Sequence, residues 1–415
     1  MKTTHLLLLI PSLLISLTFL KEHTPSQLAI SEIEDKADRI PNYCAEGKGG
    51  TDIHTRRPQF KELTLFKAGM EGYHSFRIPS IVRTKRGTLL AFCEGRKNSR
   101  HDYGDIDVVY KRSTNNGTSW SPLKVLFSKE EGTCGNPTAV ADMINGRICI
   151  IMSYNDERHA QYKIAPDYEA IDKWGDRRVF LNWSDDDGLT WKNLQELTKE
   201  LLPRNYTWDA IGPGAGIQLR HGPKDGRLII PALGRNLYSD NHGISWQYQP
   251  IRSGTSEGTI VQLCNGDLLR NDRAASGAFK ARKRRQISIS SNNGNSWSSW
   301  RSSDDLLDPL CQASLLRYND SYPARLIFIN PATTLTGLVN RKKMRVRISY
   351  DDGITWPVER LLDSNNGGYS SIAKTADFQI ASLQEYRGGN NTNYSIKYRR
   401  FNLPWILNGQ REPVE

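Results

Sequence analysis

The chain has 415 residues, of which 38% are hydrophobic and 24% are charged, and this is the composition of a water-soluble globular protein. The length suits two or three average domains or one large all-β domain. No segment after residue 20 is apolar enough to cross a bilayer, which excludes a protein with several membrane spans. The formal net charge of +11 favours anionic partners, namely nucleic acid, a membrane surface or acidic small molecules.

The first element is an apolar segment at residues 1–20, MKTTHLLLLIPSLLISLTFL, with one early lysine. A run of about fifteen apolar residues is short for a membrane span, so it predicts a secretory signal peptide. An uncleaved anchor is the alternative, because no small-x-small cleavage site is obvious. We therefore expect an exported, soluble protein that acts in the medium, the periplasm or the lysosome.

Five copies of one phrase, S-x-[DN]-x-G-x-[TS]-W, divide the rest of the chain. The tryptophans that close the phrases are 71, 55, 51 and 59 residues apart. Such a period is typical of a β-propeller, in which each blade is a four-stranded sheet. Short β-rich runs such as RQISISS and RVRISY precede the phrases and predict strands. The predicted fold is an all-β, six-bladed propeller.

The predicted boundaries follow from this pattern. Residues 21–60 are polar and unpatterned, which indicates a linker or a strand that closes the ring. The propeller domain is predicted at 61–405, with a short tail at 406–415. The best helical pattern is DDLLDPLCQASLLR at 304–317, although Pro309 interrupts it.

Each phrase is interpreted as a hairpin turn and not as a site. Its Asp or Asn can accept hydrogen bonds from backbone amides two residues on, its Gly supplies a positive φ, and its Trp buries apolar surface. Calcium binding by DDDG at 185–188 is the alternative, but the longer acidic ligand loop is missing. Six scattered cysteines without a C-x-x-C pair indicate no zinc or redox motif. No metal or cofactor is expected.

The densest basic run, KARKRRQ at 280–286, is compatible with a nucleic-acid patch. No helix-turn-helix, zinc finger or RNA-binding motif accompanies it, so a solvated strand entrance is the favoured interpretation. No nucleic-acid partner is predicted.

The stretch HSFRIPSIV at 74–82, together with the five phrases, resembles the sialidase (neuraminidase) family, glycoside hydrolase family 33. The resemblance runs from about Phe76 to Ala373. It implies a propeller that acts on sialylated glycans. Sialic acids carry a carboxylate on the anomeric carbon, and planar guanidinium groups bind carboxylates bidentately.

The resemblance implies three arginines around that carboxylate. Arg77 of FRIP matches the first, and Arg273 of NDRA, sixteen residues after Glu257, matches the second. Arg341 matches the third, although the family usually has Arg-x-Asn where this chain has RKK, and Arg345 is the fallback.

The catalytic residues implied by the resemblance are Tyr369, Glu257 and Asp102. A carboxylate nucleophile would be repelled by the substrate's carboxylate, and sialidases use a Tyr nucleophile instead. Tyr369 in GGYSSIA matches that nucleophile, and Glu257 in GTSEGTIV matches the base that takes its proton.

The implied acid is Asp102, which stands six residues after Arg96, a match to a sugar-contacting residue. Asp105 and Asp107 are rivals that we interpret as structural. Asn136, in GNPTAV, falls near the acyl pocket of relatives.

The predicted function is therefore hydrolysis of terminal α-linked sialic acids with retention of configuration, through a covalent sialyl-enzyme. The expected substrates are glycoproteins, glycolipids and oligosaccharides. A trans-sialidase that transfers the sugar to another acceptor would use the same residues. A propeller that binds sialic acid without cleaving it is a further alternative, against which the presence of both Tyr369 and Glu257 argues. A purely structural propeller is disfavoured by the three arginines.

Overall fold

A computed structural model describes residues 57–191, 194–275, 277–388 and 393–412. The predicted signal peptide and residues 21–56 of the predicted linker lie outside the described residues, so both stay predictions. In the described ranges no helix is long and apolar enough to span a bilayer.

Nearly all regular structure in these ranges is β-strand. The first strands in chain order are β1 (Phe60–Phe66), β2 (Ser75–Arg83), β3 (Leu89–Arg96), β4 (Ile106–Ser113), β5 (Lys124–Phe127), β6 (Thr133–Ala141), β7 (Ile148–Asn155), β8 (His159–Ala160), β9 (Glu169–Ala170), β10 (Arg177–Ser184), β11 (Gln195–Glu196), β12 (Gly214–Ala215) and β13 (Ile217–Gln218). They continue as β14 (Leu228–Ala232), β15 (Arg235–Ser239), β16 (Gln247–Pro250), β17 (Thr255–Gln262), β18 (Leu268–Ala274), β19 (Arg284–Ser290), β20 (Arg301–Leu307), β21 (Ser314–Asn319), β22 (Arg325–Pro331), β23 (Met344–Ser349), β24 (Val358–Asp363), β25 (Asn366–Lys374), β26 (Ile380–Arg387) and β27 (Ser395–Phe401). The short helices are α1 (Thr198–Leu201), α2 (Gly277–Arg282) and α3 (Leu403–Leu407), with a 3₁₀ turn at Leu338–Asn340.

The strands form an all-β, propeller-like arrangement of mostly antiparallel sheets. Three four-stranded sheets are sequential, β13 to β16, β17 to β20 and β21 to β24. A nine-stranded sheet has the order β11-β10-β7-β6-β4-β3-β2, with β5 paired to β4 and β12 to β6. Strands β8 and β9 form a separate two-stranded sheet.

The remaining four-stranded sheet joins the two ends of the domain. Its order is β1-β27-β26-β25, so the first strand pairs with the last, with Phe60 opposite Phe401. This pairing covers the outer edge of β27, which an open fold would leave exposed to other chains.

Hydrophobic clusters fill the spaces between neighbouring sheets. One cluster packs Phe66 of β1 and Ile396 of β27 against Phe76 and Ile81 of β2 and Leu89 of β3, all 0% exposed. Full burial of one such side chain contributes about 1.5–3 kcal/mol to folding. The alternating apolar residues of the strands thus hold adjacent sheets face to face.

The five phrases are turns with one hydrogen-bonding scheme. In each, the Ser hydroxyl accepts the Gly N–H at 2.8–2.9 Å. The Asp or Asn side chain accepts the backbone N–H of the Ser or Thr four residues on, also at 2.8–2.9 Å, and not two residues on as predicted. The residue before Gly also has a positive φ, between 56° and 65°. Each closing Trp packs into or against a different hydrophobic cluster.

The acidic side chains of DDDG bind protein groups. Asp185 pairs with Arg147 at 2.7 Å, and Asp187 pairs with Arg112 at 2.5 Å. Across the described ranges, no group of three or more His, Cys, Asp or Glu side chains is placed to hold a metal ion.

The weak helical pattern at 304–317 does not form a helix, and the strand entrance predicted for KARKRRQ is present at the start of β19 but is only partly solvated. The segment 304–317 contains no helix, because β20 ends and β21 begins within it. The run KARKRRQ is only partly solvated, because Arg285 is fully buried and donates to Asn271 Oδ1 at 2.7 Å and to the Cys311 carbonyl at 2.7 Å. In both segments tertiary contacts outweigh local pattern.

The predicted tail is partly structured. Helix α3 crosses its start, and Ile406 and Leu407 are buried in the core. Glu412 binds Arg325 through two hydrogen bonds of 2.6 Å. The domain boundaries themselves stay predictions.

The last turn provides a stability test. Asp351 accepts from the Thr355 N–H at 2.9 Å, the Thr355 hydroxyl at 2.6 Å and the Ser349 hydroxyl at 2.8 Å. Asp351→Ala should lower the free energy of unfolding by about 1 kcal/mol, because these donors lose their acceptor. Asp351→Asn keeps the acceptor and should lose much less, since three other copies carry Asn. Urea denaturation measures both, and equal losses would contradict this account of the turn.

Candidate active site

Four strands carry a β-bulge where a predicted site residue lies. The register shifts fall between Arg77 and Ser80 in β2, between Gly135 and Thr138 in β6, between Thr255 and Gly258 in β17 and between Gly367 and Ser370 in β25. The first bulge begins at Arg77, and the other three contain Asn136, Glu257 and Tyr369. A bulge re-aims a side chain that a regular strand would turn to the sheet face.

The first bulge contains backbone strain. Ile78 has φ 58°, which a β-branched residue rarely adopts, and Pro79 follows it. The Ile78 N–H donates to Glu385 Oε1 at 3.0 Å. Strained backbone persists where the surrounding structure over-determines it, and such positions cluster at functional sites.

Glu385 holds Arg77 in place. Arg77 Nε donates to Glu385 Oε1 at 3.1 Å, and the Tyr369 N–H donates to Oε2 at 3.1 Å. The Glu385 side chain is 0% exposed. Burial works to lower the pKa of Arg77, but the charges of Glu385 and Asp102 outweigh it and raise that pKa. Arg77 is therefore a permanent cation.

Tyr369 and Glu257 form a buried hydrogen-bonded pair. The Tyr369 hydroxyl donates to Glu257 Oε1, and Tyr369 is 6% exposed. Burial, and then the charge of Glu257, raise the pKa of Tyr369, while Arg273 and Arg341 oppose the shift. Tyr369 is thus a neutral phenol with a carboxylate already in contact with its proton.

Arg273 binds the same pair from the other side. Its Nη1 donates to Glu257 Oε2 at 2.6 Å and to the Tyr369 hydroxyl oxygen at 3.1 Å. Its pKa is raised, since the charge of Glu257 outweighs the effect of burial.

Arg341 also lies beside Tyr369. Its guanidinium carbon is 5.3 Å from the centre of the Tyr369 ring, and that of Arg77 is 5.6 Å from it. Nη2 of Arg341 donates to the Leu310 carbonyl at 3.0 Å, and its buried Nε has no hydrogen-bond partner in the described ranges. Arg345, the fallback, instead pairs with Glu359 at 2.8 Å on the surface. The structure thus brings Arg77, Arg273 and Arg341 together around Tyr369.

Asp102 is the exposed member of the cluster. Its side chain is 69% exposed, yet its Oδ1 lies 2.7 Å from Arg77 Nη1 and 2.8 Å from Arg96 Nη1. Desolvation works to raise the pKa of Asp102, but the charges of Arg96 and Arg77 outweigh it and hold that pKa below its usual range. Asp102 is therefore a carboxylate in the free protein.

The rival acids are tied to other groups. Asp105 pairs with Lys97 at 2.9 Å, and Asp107 accepts the Tyr73 hydroxyl at 2.7 Å. Neither contact includes the three arginines: the first joins the two ends of the loop at 97–105, and the second ties Tyr73 to β4.

Asn136 joins the cluster indirectly, through Glu94. Its N–H donates to Glu94 Oε1 at 2.9 Å, and Glu94 Oε2 accepts from Arg96 Nε at 3.0 Å. The Asn136 side-chain oxygen accepts from Arg177 Nη2 at 2.5 Å. The Arg177 guanidinium carbon also lies 4.4 Å from the Trp208 ring centre.

Sequence reasoning missed Glu385, Glu94 and Arg177. The signal for the first two is a glycine beside each bulge. A Cβ added at Gly368 would lie 2.1 Å from Glu385 Oε2, and one at Gly135 would lie 2.5 Å from Glu94 Oε1. Glycine at these positions lets a buried carboxylate approach the backbone.

Comparison with known proteins shows which family the chain resembles. A family model described as a BNR repeat-like domain matches residues 87–381. An exo-alpha-sialidase of Aspergillus fumigatus is 41% identical over 395 residues, covering 87% of this chain and 93% of that protein. One of Arthroderma benhamiae is 41% identical over 389 residues, covering 84% and 91%.

A solved structure, a Hadza microbial sialidase, aligns with a TM-score of 0.69 at 25% identity, covering 83% of this chain and 69% of that one. The family model spans more than half of this chain, and both fungal relatives are matched over nearly their whole length. The chain therefore belongs to the sialidase family of BNR-repeat proteins.

Proposed function

We propose that this protein is an exo-α-sialidase that releases terminal α-linked sialic acid from glycoproteins, glycolipids or oligosaccharides. The observation that carries the proposal is the buried Tyr369–Glu257 pair, with the guanidinium groups of Arg77, Arg273 and Arg341 around it. The two fungal relatives named as exo-alpha-sialidases support the same substrate class.

The scaffold is proposed to be a six-bladed propeller. The nine-stranded sheet contains two four-stranded runs, β2 to β5 and β6-β7-β10-β11. The two runs are joined directly by one parallel bridge, Ile106 to Thr133. If the runs are two blades, then with the four separate sheets the ring has six.

The three arginines are proposed to hold the substrate's carboxylate. Arg77 and Arg341 flank the Tyr369 ring, and Arg273 contacts its hydroxyl. A carboxylate bound among them would place the anomeric carbon, to which it is attached, near the phenol oxygen. Fixed cations in a desolvated site bind an anion more strongly than they would in water.

Tyr369 is proposed to be the nucleophile, with Glu257 as its base. As the phenol oxygen bonds to the anomeric carbon, its proton passes along the existing hydrogen bond to Glu257. Arg273 stabilises the negative charge that develops on the oxygen it already contacts. The product of this step is a covalent sialyl-enzyme.

Asp102 is proposed to protonate the leaving oxygen. In the free protein Arg77 and Arg96 keep it ionised. The substrate's carboxylate competes for Arg77, and the sugar covers Asp102, so both changes raise its pKa. Asp102 then acts as the acid. Afterwards it takes a proton from the attacking water, the bond between the sugar and the Tyr369 oxygen breaks, and that oxygen recovers its proton from Glu257, which releases the sugar with retained configuration.

Asn136 is proposed to lie at the acyl end of the sugar. Its link through Glu94 to Arg96 supports a place beside the sugar-contacting arginine. Export is proposed from the apolar segment at residues 1–20.

The nucleophile is tested by Tyr369→Phe. We expect hydrolysis of a fluorogenic α-sialoside to fall about a thousandfold or more, since the attacking oxygen is gone. Activity is measured as released sialic acid, and the melting temperature shows whether the variant is folded. A folded wild type that hydrolyses no common sialoside linkage would overturn the proposed function.

The acid is tested by Asp102→Asn. The first turnover of methyl α-sialoside should slow about 10²–10⁴-fold, because its alkoxide leaving group needs a proton. A methylumbelliferyl sialoside, with a better leaving group, should slow much less. Asp105→Asn, on the same loop, is the control and should leave both rates close to wild type. Equal losses on both substrates would contradict the role of Asp102.

The ion pair between Glu385 and Arg77 is tested by Glu385→Gln. In this variant the side-chain NH₂ replaces one carboxylate oxygen and would face a backbone or guanidinium donor. Arg77 should therefore shift, and kcat/KM should fall about 10²-fold. Glu412→Gln is the matched control, because it also breaks a buried pair, with Arg325, away from the arginine cluster. It should lower the melting temperature and leave KM unchanged. If the two variants had the same kinetics, Glu385 would serve stability alone.

A further inference from the structure

A buried aromatic ring lies against Arg77 and has no role in the steps above. Tyr394 is 1% exposed, and its ring centre is 4.7 Å from the Arg77 guanidinium carbon. This distance is within the range of an energetic cation–π contact, which strengthens where water is excluded.

The ring is tied to the same strand by the backbone. The N–H of Phe76, the residue before Arg77, donates to the Tyr394 carbonyl at 2.8 Å. A second guanidinium, that of Arg387, lies 5.4 Å from the ring centre. The position of the ring is therefore set by β2 and by the end of β26.

The phenol hydroxyl does not explain why a tyrosine is buried here. It has no hydrogen-bond partner within the described ranges. The contact with Arg77 is made by the ring.

Arg77 needs a support that remains when substrate binds. Glu385 accepts from Nε at 3.1 Å and from Nη2 at 3.4 Å, along one edge of the guanidinium, whereas Nη1 is held by the exposed Asp102. A substrate carboxylate would replace Asp102 at Nη1, and Asp102 would turn to the leaving oxygen. A ring packed against the guanidinium keeps the orientation of the group after Asp102 has left.

We propose that Tyr394 is a positioning residue, whose ring holds the Arg77 guanidinium in the orientation that receives the substrate's carboxylate. The inference rests on the proposed function, because it assigns the carboxylate to Arg77. Arg77 would bind the carboxylate in both the ground state and the transition state. The main effect of Tyr394 is therefore expected on KM.

The test compares Tyr394→Leu with Tyr394→Phe. Loss of the ring should raise KM for an α-sialoside about tenfold with kcat within about threefold of wild type. Phe keeps the ring, so KM should stay within about twofold. Tyr398→Leu is the control, because Tyr398 is also 1% exposed and packs on Trp120 instead. It should lower the melting temperature without changing KM.

A graded measurement covers the case in which Tyr394→Leu does not fold. Replacing Tyr394 by phenylalanines with one, two and three ring fluorines keeps the shape and weakens the negative face of the ring. KM should rise with each fluorine. The proposal is overturned if KM does not change along the fluorine series, or if KM is unchanged in folded Tyr394→Leu. An equal rise in KM for Tyr394→Phe and Tyr394→Leu would also overturn it.

Calorimetry separates this inference from the proposed function. The probe is 2,3-didehydro-2-deoxysialic acid, which carries the carboxylate and is not hydrolysed. Weaker binding to the fluorinated variants, even by a protein without turnover, would support the role of Tyr394. Turnover by wild type with equal binding to every variant would leave the sialidase activity standing and remove the role of Tyr394.

Discussion

The carboxylate of Glu385 lies between strands β2 and β25, and the geometry of the site depends on it. Its oxygens accept from Arg77 Nε, from the Ile78 N–H and from the Tyr369 N–H. Because a charge without exposed surface is costly unless it is paired, each of these donors is held where it is. One side chain thereby sets the distance between the first arginine and the phenol, which come from residues 292 positions apart in the chain.

The same carboxylate explains why the strands are irregular here. A regular β2 would turn the Ile78 N–H into the sheet ladder, whereas the bulge and the positive φ of Ile78 aim it at Glu385. The neighbouring Gly368 leaves room for the carboxylate, as Gly135 does for Glu94. The turns formed by the five phrases and the hydrophobic clusters supply the stability against which this strain is maintained. The repeated turns and sheets form the scaffold, and the bulged strands carry residues of the site.

The charged groups of the site differ in burial, and their proposed roles differ with it. Arg77, Glu385, Glu257 and Tyr369 are all less than 9% exposed, so their contacts are fixed before any ligand arrives. Asp102 is mostly exposed and pairs with two arginines at once. It is the group whose partners and solvation change most when an anion enters, and such a change is what a general acid needs to alter its pKa. Preorganised cations and one exchangeable carboxylate therefore suit the proposed chemistry.

Much of this protein follows from the sequence by itself. The period of the five phrases predicted the propeller-like sheets, since the turn chemistry of Ser, Asp or Asn, Gly and Trp is local. The motifs around Arg77, Glu257 and Tyr369 pointed to residues that the structure brings together.

Tertiary structure alone decided the rest. Segment 304–317 became strands, and Arg285 became buried, because neighbouring sheets required it. Glu385 and Tyr394 carry no local motif for their contacts with Arg77, because Arg77 is distant from both in the chain. The contact between Glu385 and Arg77 joins β26 to β2, in a sheet where the first strand pairs with the last.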